Sequence, residues 1–425
     1  KKKKKKKFNF CFFFRLGKLT NLTALGLNEN KLASLPPEIG KLKALTMLDI
    51  RFNKLSELPP EIGNLKDLNK LFLRFNQLTG LPQEIKNLKS LQVLSVRNNR
   101  LSSVPEALGQ LISLQVLDLQ HNQLTSFPNI AKLEKLENFD LQFNNLEELP
   151  KGLGCLKCLK RLHLKYNHIS SLPAEVGDLP LLEELDLESN RLKALPAEFT
   201  KLKSLQKLYL SRNMLTKLPE DLGNLKALQE LFLNDNQLTS LGSVVKITGL
   251  RVLDISSNAL TQLTPNIEML SNLHELHASA NELASLVPEI GQLKCLTLLN
   301  FNDNMLGSLP PEIGNLTSLK KLNLAGNLLK ELPDEIGKLS GLQALLLGYN
   351  KLTSITSEIG KLSALTEINL DENKLTELPA EMGSMKCLEV CVIPSPSSIL
   401  LLSFFLRTSH LQFFFLFSFP GADLQ

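Results

Sequence analysis

The sequence predicts an α/β solenoid: a right-handed superhelix with a curved parallel sheet on its concave face and short helical or 3-10 segments on its convex face. Three observations predict it. One asparagine recurs sixteen times from Asn30 to Asn373, every 23 residues, with 22 at Asn122 to Asn144 and at Asn236 to Asn258. Leucines ahead of each asparagine alternate with polar or small residues, as Leu25 and Leu27 do with Ala24, Gly26 and Asn28. After it comes a leucine pair and then a proline, glutamate, isoleucine and glycine, as in Leu32, Leu35, Pro36, Glu38, Ile39 and Gly40. A fixed period of this length is the signature of stacked repeats.

Each part of the repeat has a physical reading. The period of two at Leu25 and Leu27 is a short strand with one buried face. The asparagine closes the strand, and its amide can pair with main chain that has no ladder partner. Pro36 suits the first position of a short helical turn, Glu38 the favourable charge of that turn, and Gly40 a left-handed helix stop. A single coil has no second surface against which to bury its leucines, whereas stacked coils bury them against each other. Strand-to-strand crossovers of this kind are right-handed. Because strands sit closer together than the segments on the other face, the stack curves.

The consensus, leucine spacing followed by Leu-Pro-x-Glu-Ile-Gly, resembles the leucine-rich-repeat superfamily. Its 23-residue form is similar to the intracellular Ras-pathway scaffold branch, to the plant intracellular Ras-group proteins and to proteins of the type of leucine-rich-repeat-containing protein number forty. Leu73-Arg74-Phe75-Asn76 and Leu119-Gln120-His121-Asn122-Gln123-Leu124 carry the likeness to that branch. It covers residues 16 to 393. What the resemblance implies is a protein-interaction scaffold in signal transduction, with a small GTPase or another signalling protein as partner.

Composition narrows the alternatives. The formal net charge of +5 arises from Lys1 to Lys7, without which the chain is near neutral. With no tryptophan and three tyrosines, stacking platforms for bases are scarce, and nucleic acid is not expected as a partner. The six cysteines, Cys11, Cys155, Cys158, Cys295, Cys387 and Cys391, lack the paired clusters of secreted repeat domains, which points to a reducing cytoplasm. Cys155-x-x-Cys158 has no second pair to complete a zinc site. Cys158, Cys295 and Cys387 share a position filled elsewhere by Ala44 or Ser90 and read as small fillers, with Cys391 in a core leucine position. No metal or cofactor is implied. Neither are catalytic residues: His163 and His277 lack a nucleophile at a predictable distance, and an open sheet encloses no pocket around Asp118 and Asp140. Those two aspartates adjoin on neighbouring strands and should raise each other's pKa.

The outward columns of the sheet carry the variable residues. Arg51, Arg74 and Arg97 fall on three successive strands, with Lys70 and Phe72 beside them and Phe52 and Phe75 at the adjoining edge. Arginine among exposed aromatics is the composition of interface hot spots. The site expected here takes an acidic protein surface. The alternative is solvated charge, with Phe52 and Phe75 packed on each other as an edge ladder. A second cluster is His163, Lys165, Tyr166, Tyr209, Arg212 and Phe232. The lysines Lys43, Lys66, Lys89, Lys157, Lys203, Lys226, Lys294 and Lys386 form a ridge outside the sheet and read as a solvated face.

Three segments follow: a low-complexity tail at 1–15, the repeat domain at 16–393 with partial coils at both ends, and a hydrophobic low-complexity tail at 394–425. Met385, Leu388, Cys391 and Ile393 keep the phase of a seventeenth copy. The apolar runs from Ile399 to Leu406 and from Leu411 to Phe419 are too short to span a bilayer. The Lys and Phe runs before Leu16, and the Ser, Leu and Phe bias after Ile393, read as translated noncoding sequence, with further repeats or a cap beyond both junctions. The function expected is a non-enzymatic cytoplasmic scaffold. Its rivals are the ligand-binding ectodomain of a membrane receptor, for which Asn21-Leu22-Thr23 and Asn315-Leu316-Thr317 are glycosylation sequons, and the recognition half of a larger signalling or immune protein.

Overall fold

The computed structural model describes residues 16–393, so the two expected tails lie outside the described residues. The chain divides into two compact units between Met214 and Leu215. In the first unit the strands are β1 (Ala24–Gly26), β2 (Met47–Asp49), β3 (Lys70–Phe72), β4 (Val93–Ser95), β5 (Val116–Asp118), β6 (Asn138–Asp140), β7 (Arg161–His163), β8 (Glu184–Asp186) and β9 (Lys207–Tyr209). In the second they are β10 (Glu230–Phe232), β11 (Val252–Asp254), β12 (Glu275–His277), β13 (Leu298–Asn300), β14 (Lys321–Asn323), β15 (Ala344–Leu346), β16 (Glu367–Asn369) and β17 (Val390–Val392). Within each unit successive strands pair in parallel with their inward residues opposite each other: Leu71 faces Leu94 and Leu322 faces Leu345. β17 is the seventeenth copy that the phase of Cys391 predicted.

The coils pack as the repeat demands. Leu48, Ile50, Leu55, Ile62, Leu65 and Leu68 of one coil are all fully excluded from solvent, and Leu58 nearly so. Burying such a side chain stabilises by about 1.5–3 kcal/mol. The asparagines join neighbouring coils. Asn99 Nδ2 donates to Leu73 O of the preceding coil (3.0 Å) and to Val96 O of its own (2.9 Å). Its Oδ1 accepts from the Leu78 N–H of the preceding coil (3.0 Å). One side chain thus serves main-chain groups that the three-residue strands leave without partners.

The opposite face carries 3-10 segments such as Pro37–Lys41 and Pro60–Asn64, and two sequence expectations change there. Pro36 is the extended residue before the segment, and Pro37 holds its first position. The fixed φ of Pro36 suits that extended entry equally well. Gly40 is not a left-handed stop, since the glycines at positive φ are Gly152, Gly242 and Gly326. It is glycine because the next coil presses on it: a Cβ there would stand 2.5 Å from Glu61 O. The lysine ridge also does more than meet solvent. Lys89 Nζ donates to Gln110 O (3.0 Å) and Lys157 Nζ to Asp178 O (2.8 Å). Each of these two lysines therefore caps the last carbonyl of the next coil's segment, a favoured place for a cation.

Candidate functional site

The residue before each ladder asparagine turns the chain out of the strand, and in every coil from Glu29 to Glu372 it adopts a left-handed conformation, with φ between 49° and 65°. Bulky residues rarely do so. Yet Phe52, Phe75, Phe143, Tyr166 and Tyr349 all occupy this position. The asparagine behind them fixes the turn, so the side chain in front is held at the strand edge whatever its own preference.

At the amino-proximal site, Phe52 and Phe75 stack with ring centroids 4.6 Å apart and planes 9° apart, and both residues are 40% exposed. The Arg74 guanidinium lies 5.6 Å from the Phe52 ring centroid, and that of Arg51 lies 5.6 Å from Phe72. Both distances are in the cation–π range. Arg51 also clasps Asp49, with Nε donating to Oδ1 at 2.7 Å and Nη2 to Oδ2 at 2.5 Å. Burial alone would raise the Asp49 pKa. Hydrogen bonds from the side chain and backbone of Arg51, and the charges of Arg51 and Arg74, outweigh it and hold Asp49 below the usual carboxylate range. Arg97 Nε donates to Asn98 Oδ1 at 3.1 Å. Arg74 Nε is buried without a hydrogen-bond partner. Lys70 is exposed at the start of β3, on the same sheet face as Phe72. The residues expected at this site therefore lie on adjoining coils, and the Phe52–Phe75 edge ladder is present among them. Arg51 is internally neutralised, whereas Arg74 and Arg97 have no carboxylate partner among the described residues.

In the second cluster, Lys165 Nζ sits 5.4 Å from the Tyr166 ring and pairs with Glu188 Oε2 at 2.6 Å. Arg212 Nη1 donates to Tyr166 Oη at 3.3 Å. His163 Nε2 lies 3.3 Å from Glu184 Oε1. Tyr209 is half-buried on β9, and Phe232 is half-buried on β10 of the second unit. Sequence reasoning left out two members of this edge: His121 stacks on Phe143 (4.1 Å, 10°) and Phe143 on Tyr166 (4.7 Å, 18°). The signal was present, because His121 and Phe143 immediately precede Asn122 and Asn144 as Phe52 and Phe75 precede theirs.

The aspartate column further in on the sheet, beyond Gln142, Lys165 and Glu188, is partly desolvated at Asp140 and Asp186. Burial, and secondarily the Asp118 charge, raise the Asp140 pKa against the opposing Gln142 N–H and His163. Burial and the nearby Glu188 push Asp186 up to about 6, although its Glu188 N–H hydrogen bond and Lys165 oppose the shift. The cysteine expectation is corrected in part. Cys391 is buried, and burial pushes its thiol up to about 11. Cys155, Cys158, Cys295 and Cys387 are free and exposed, because their positions flank inward-pointing leucines such as Leu156 and Leu293 on the outer side of the loop.

The family model for a leucine-rich repeat region matches residues 5–121 and 151–256, and further leucine-rich-repeat models match 112–153 and 317–375. A solved leucine-rich-repeat protein of Leptospira interrogans is 35% identical, with a TM-score of 0.77 over 93% of this chain and 96% of its own. The chain belongs to the leucine-rich-repeat family. A plant peptide hormone receptor, RGFR1, solved in complex with RGF2, is 30% identical with a TM-score of 0.78, over 95% of this chain and 71% of its own. The internalin InlJ of Listeria monocytogenes shares the fold at 21% identity, with a TM-score of 0.64 over 88% of this chain and 73% of its own. No curated protein matches the chain. Leucine-rich-repeat folds generally mediate protein–protein interaction. No helix among the described residues is long and apolar enough to cross a membrane.

Proposed function

We propose that this leucine-rich-repeat chain is a non-enzymatic scaffold of cytoplasmic signal transduction that holds an acidic protein partner against the Arg51–Arg97 patch. The small-GTPase class suggested by the repeat consensus is the partner type we favour. The observation that carries the reading is Arg74. Its guanidinium is held over Phe52, its Nε is buried without a hydrogen bond, and the Phe52–Phe75 stack beside it is exposed. A cation fixed on an aromatic platform, beside a second arginine without a carboxylate partner, is arranged to meet an anionic group. Losing such an anchor typically costs about 2 kcal/mol or more. Four exposed free thiols support a reducing compartment.

The test is affinity capture with the double charge reversal Arg74→Glu/Arg97→Glu beside Lys203→Glu, a control on the opposite ridge. The expected result is selective loss of a defined set of acidic partners with an unchanged circular dichroism spectrum. Recovery of the same proteins at the same yield from both variants would overturn the assignment of the patch. A second reading, the ligand-binding part of a receptor, is favoured by the likeness to RGFR1. Glycan attached to Asn315 in the native host would decide for it over the cytoplasmic scaffold.

A further inference from the structure

The two aromatic groups of the first unit lie on one line. Phe52 N–H donates to Arg74 O, Phe75 N–H to Arg97 O, Asn98 N–H to Gln120 O, His121 N–H to Gln142 O and Phe143 N–H to Lys165 O, all at 2.9–3.0 Å. The edge position thus passes from coil to coil without a break from Phe52 to Tyr166. It carries two stacks, Phe52–Phe75 and His121–Phe143–Tyr166, separated by the single polar residue Asn98. At the strand spacing the whole line is about 24 Å long, and the two stacks are centred about 17 Å apart.

This line is not required by the fold. Small or turn-forming residues fill the same left-handed position elsewhere, as Ser189, Ala280, Asp303 and Gly326 do. Aromatic side chains held in that conformation cost energy that the coil itself does not need, and such strain gathers at functional sites.

Charge gives the line a direction. At the Phe52–Phe75 end the adjoining column is Arg51, Arg74 and Arg97, of which only Arg51 is clasped by a carboxylate among the described residues. In the same column, Gln120 and Gln142 adjoin His121 and Phe143, with Asp118 and Asp140 in the next column over, and at Tyr166 the Lys165 ammonium is already paired with Glu188. An acidic group is therefore attracted to one end only.

We propose that this ledge seats a single amphipathic helix of a protein partner, with two apolar anchors about eleven residues apart and its acidic end over Arg74 and Arg97. The proposal rests on the protein-binding reading above and names the occupant of that site. A helix fits because the apolar line and the cationic column run side by side. A helix presents an apolar stripe with acidic residues directly alongside it. An extended strand sends consecutive residues to opposite faces. About eleven residues of helix rise the 17 Å between the stacks, and Asn98 lies under the turns between the anchors.

The test uses fluorescein-labelled synthetic peptides of about eighteen residues and the whole chain, read by anisotropy. The parent peptide carries leucine anchors eleven residues apart and glutamates at one end. Companions have anchors seven residues apart, prolines in the middle, or the glutamates at the other end. The parent should bind, and each companion should bind at least about tenfold more weakly. Two protein variants complete it: Arg74→Glu/Arg97→Glu and His121→Asn/Phe143→Asn, the latter because asparagine tolerates the left-handed conformation. Each should weaken the parent at least about tenfold, with the loss at the arginines alone depending strongly on salt. Parent and proline peptides binding equally would overturn the helix. If His121→Asn/Phe143→Asn binds the parent as the wild type does, while Arg74→Glu/Arg97→Glu loses both peptide and cellular partners, the single ledge is wrong and the arginine patch stands. If neither variant changes anything, both fail. The peptide series decides the helix even where a variant folds poorly.

Discussion

Replacing Asn167 by alanine tests the ladder where it is most buried, at 4% exposure in the middle of the first unit. Its Nδ2 donates to Leu141 O (3.0 Å) and Leu164 O (2.9 Å), and its Oδ1 accepts from the Leu146 N–H (3.0 Å). The loss is not three equal bonds. Leu141 O also accepts from Asn144, and Leu164 O from Asn190, both at 3.0 Å, so each carbonyl keeps one partner. The Leu146 N–H has no other acceptor among the described residues and becomes a buried orphan. One such group costs about 1–3 kcal/mol, and the two weakened carbonyls bring the expected loss to about 2–4 kcal/mol by the same measure. Asn167→Asp should cost more at neutral pH, because a carboxylate would face two carbonyl oxygens, and it should approach the alanine value once protonated. Urea unfolding gives the free energy, and amide hydrogen exchange follows Leu146 directly. A loss under about 0.5 kcal/mol with Leu146 still protected would show that the asparagine is not what satisfies the coil.

Gly63→Ala should destabilise by about 1–3 kcal/mol, because its Cβ would stand 2.5 Å from Glu84 O, whereas Gly80→Ala meets nothing within 4 Å and should leave the melting temperature unchanged. Equal melting of the two variants would remove the close-approach explanation for the segment glycines. Asp186 has a folded pKa raised from 3.8 to about 6, so its ionisation opposes folding as pH rises through that window. Asp186→Asn should therefore stabilise by about 1–3 kcal/mol at pH 7 and by nothing below about pH 4, and a difference that persists at pH 3.5 would refute the desolvation account.

Much of the fold was legible because the repeat states each requirement sixteen times. The strands, the asparagine ladder and the core set of Leu48 to Leu68 all follow from periodicity. What was misread belongs to contacts between coils. Gly40 fits a helix stop by its place in the chain, and only the carbonyl of Glu61 reveals a steric role. Lys89 and Lys157 look like solvated charges until the carbonyls they cap are seen on the neighbouring coil. At the candidate site, Arg74, Phe52 and Phe75 were found by composition. His121 and Phe143 escaped because the edge position was followed only beside the arginines, and the left-handed backbone common to every coil shows it to be one continuous column.

That column explains how one coil can serve both stability and recognition. The asparagine binds main chain on its own coil and the one before it, so its energy is independent of the side chain that precedes it. Glu29, Asn98, Ser257 and Tyr349 hold the same backbone with unrelated side chains. The position is thus chemically free while geometrically fixed, and side chains placed there on successive coils are brought to stacking distance by the strand spacing itself. Phe52 and Phe75 meet at 4.6 Å, and Phe143 and Tyr166 at 4.7 Å. Exchanging residues at this position alone would rewrite the ledge without touching the core. Binding specificity in this chain should accordingly be found in the residue ahead of each asparagine and in the outward strand columns beside it, while the leucines and asparagines behind them stay the same.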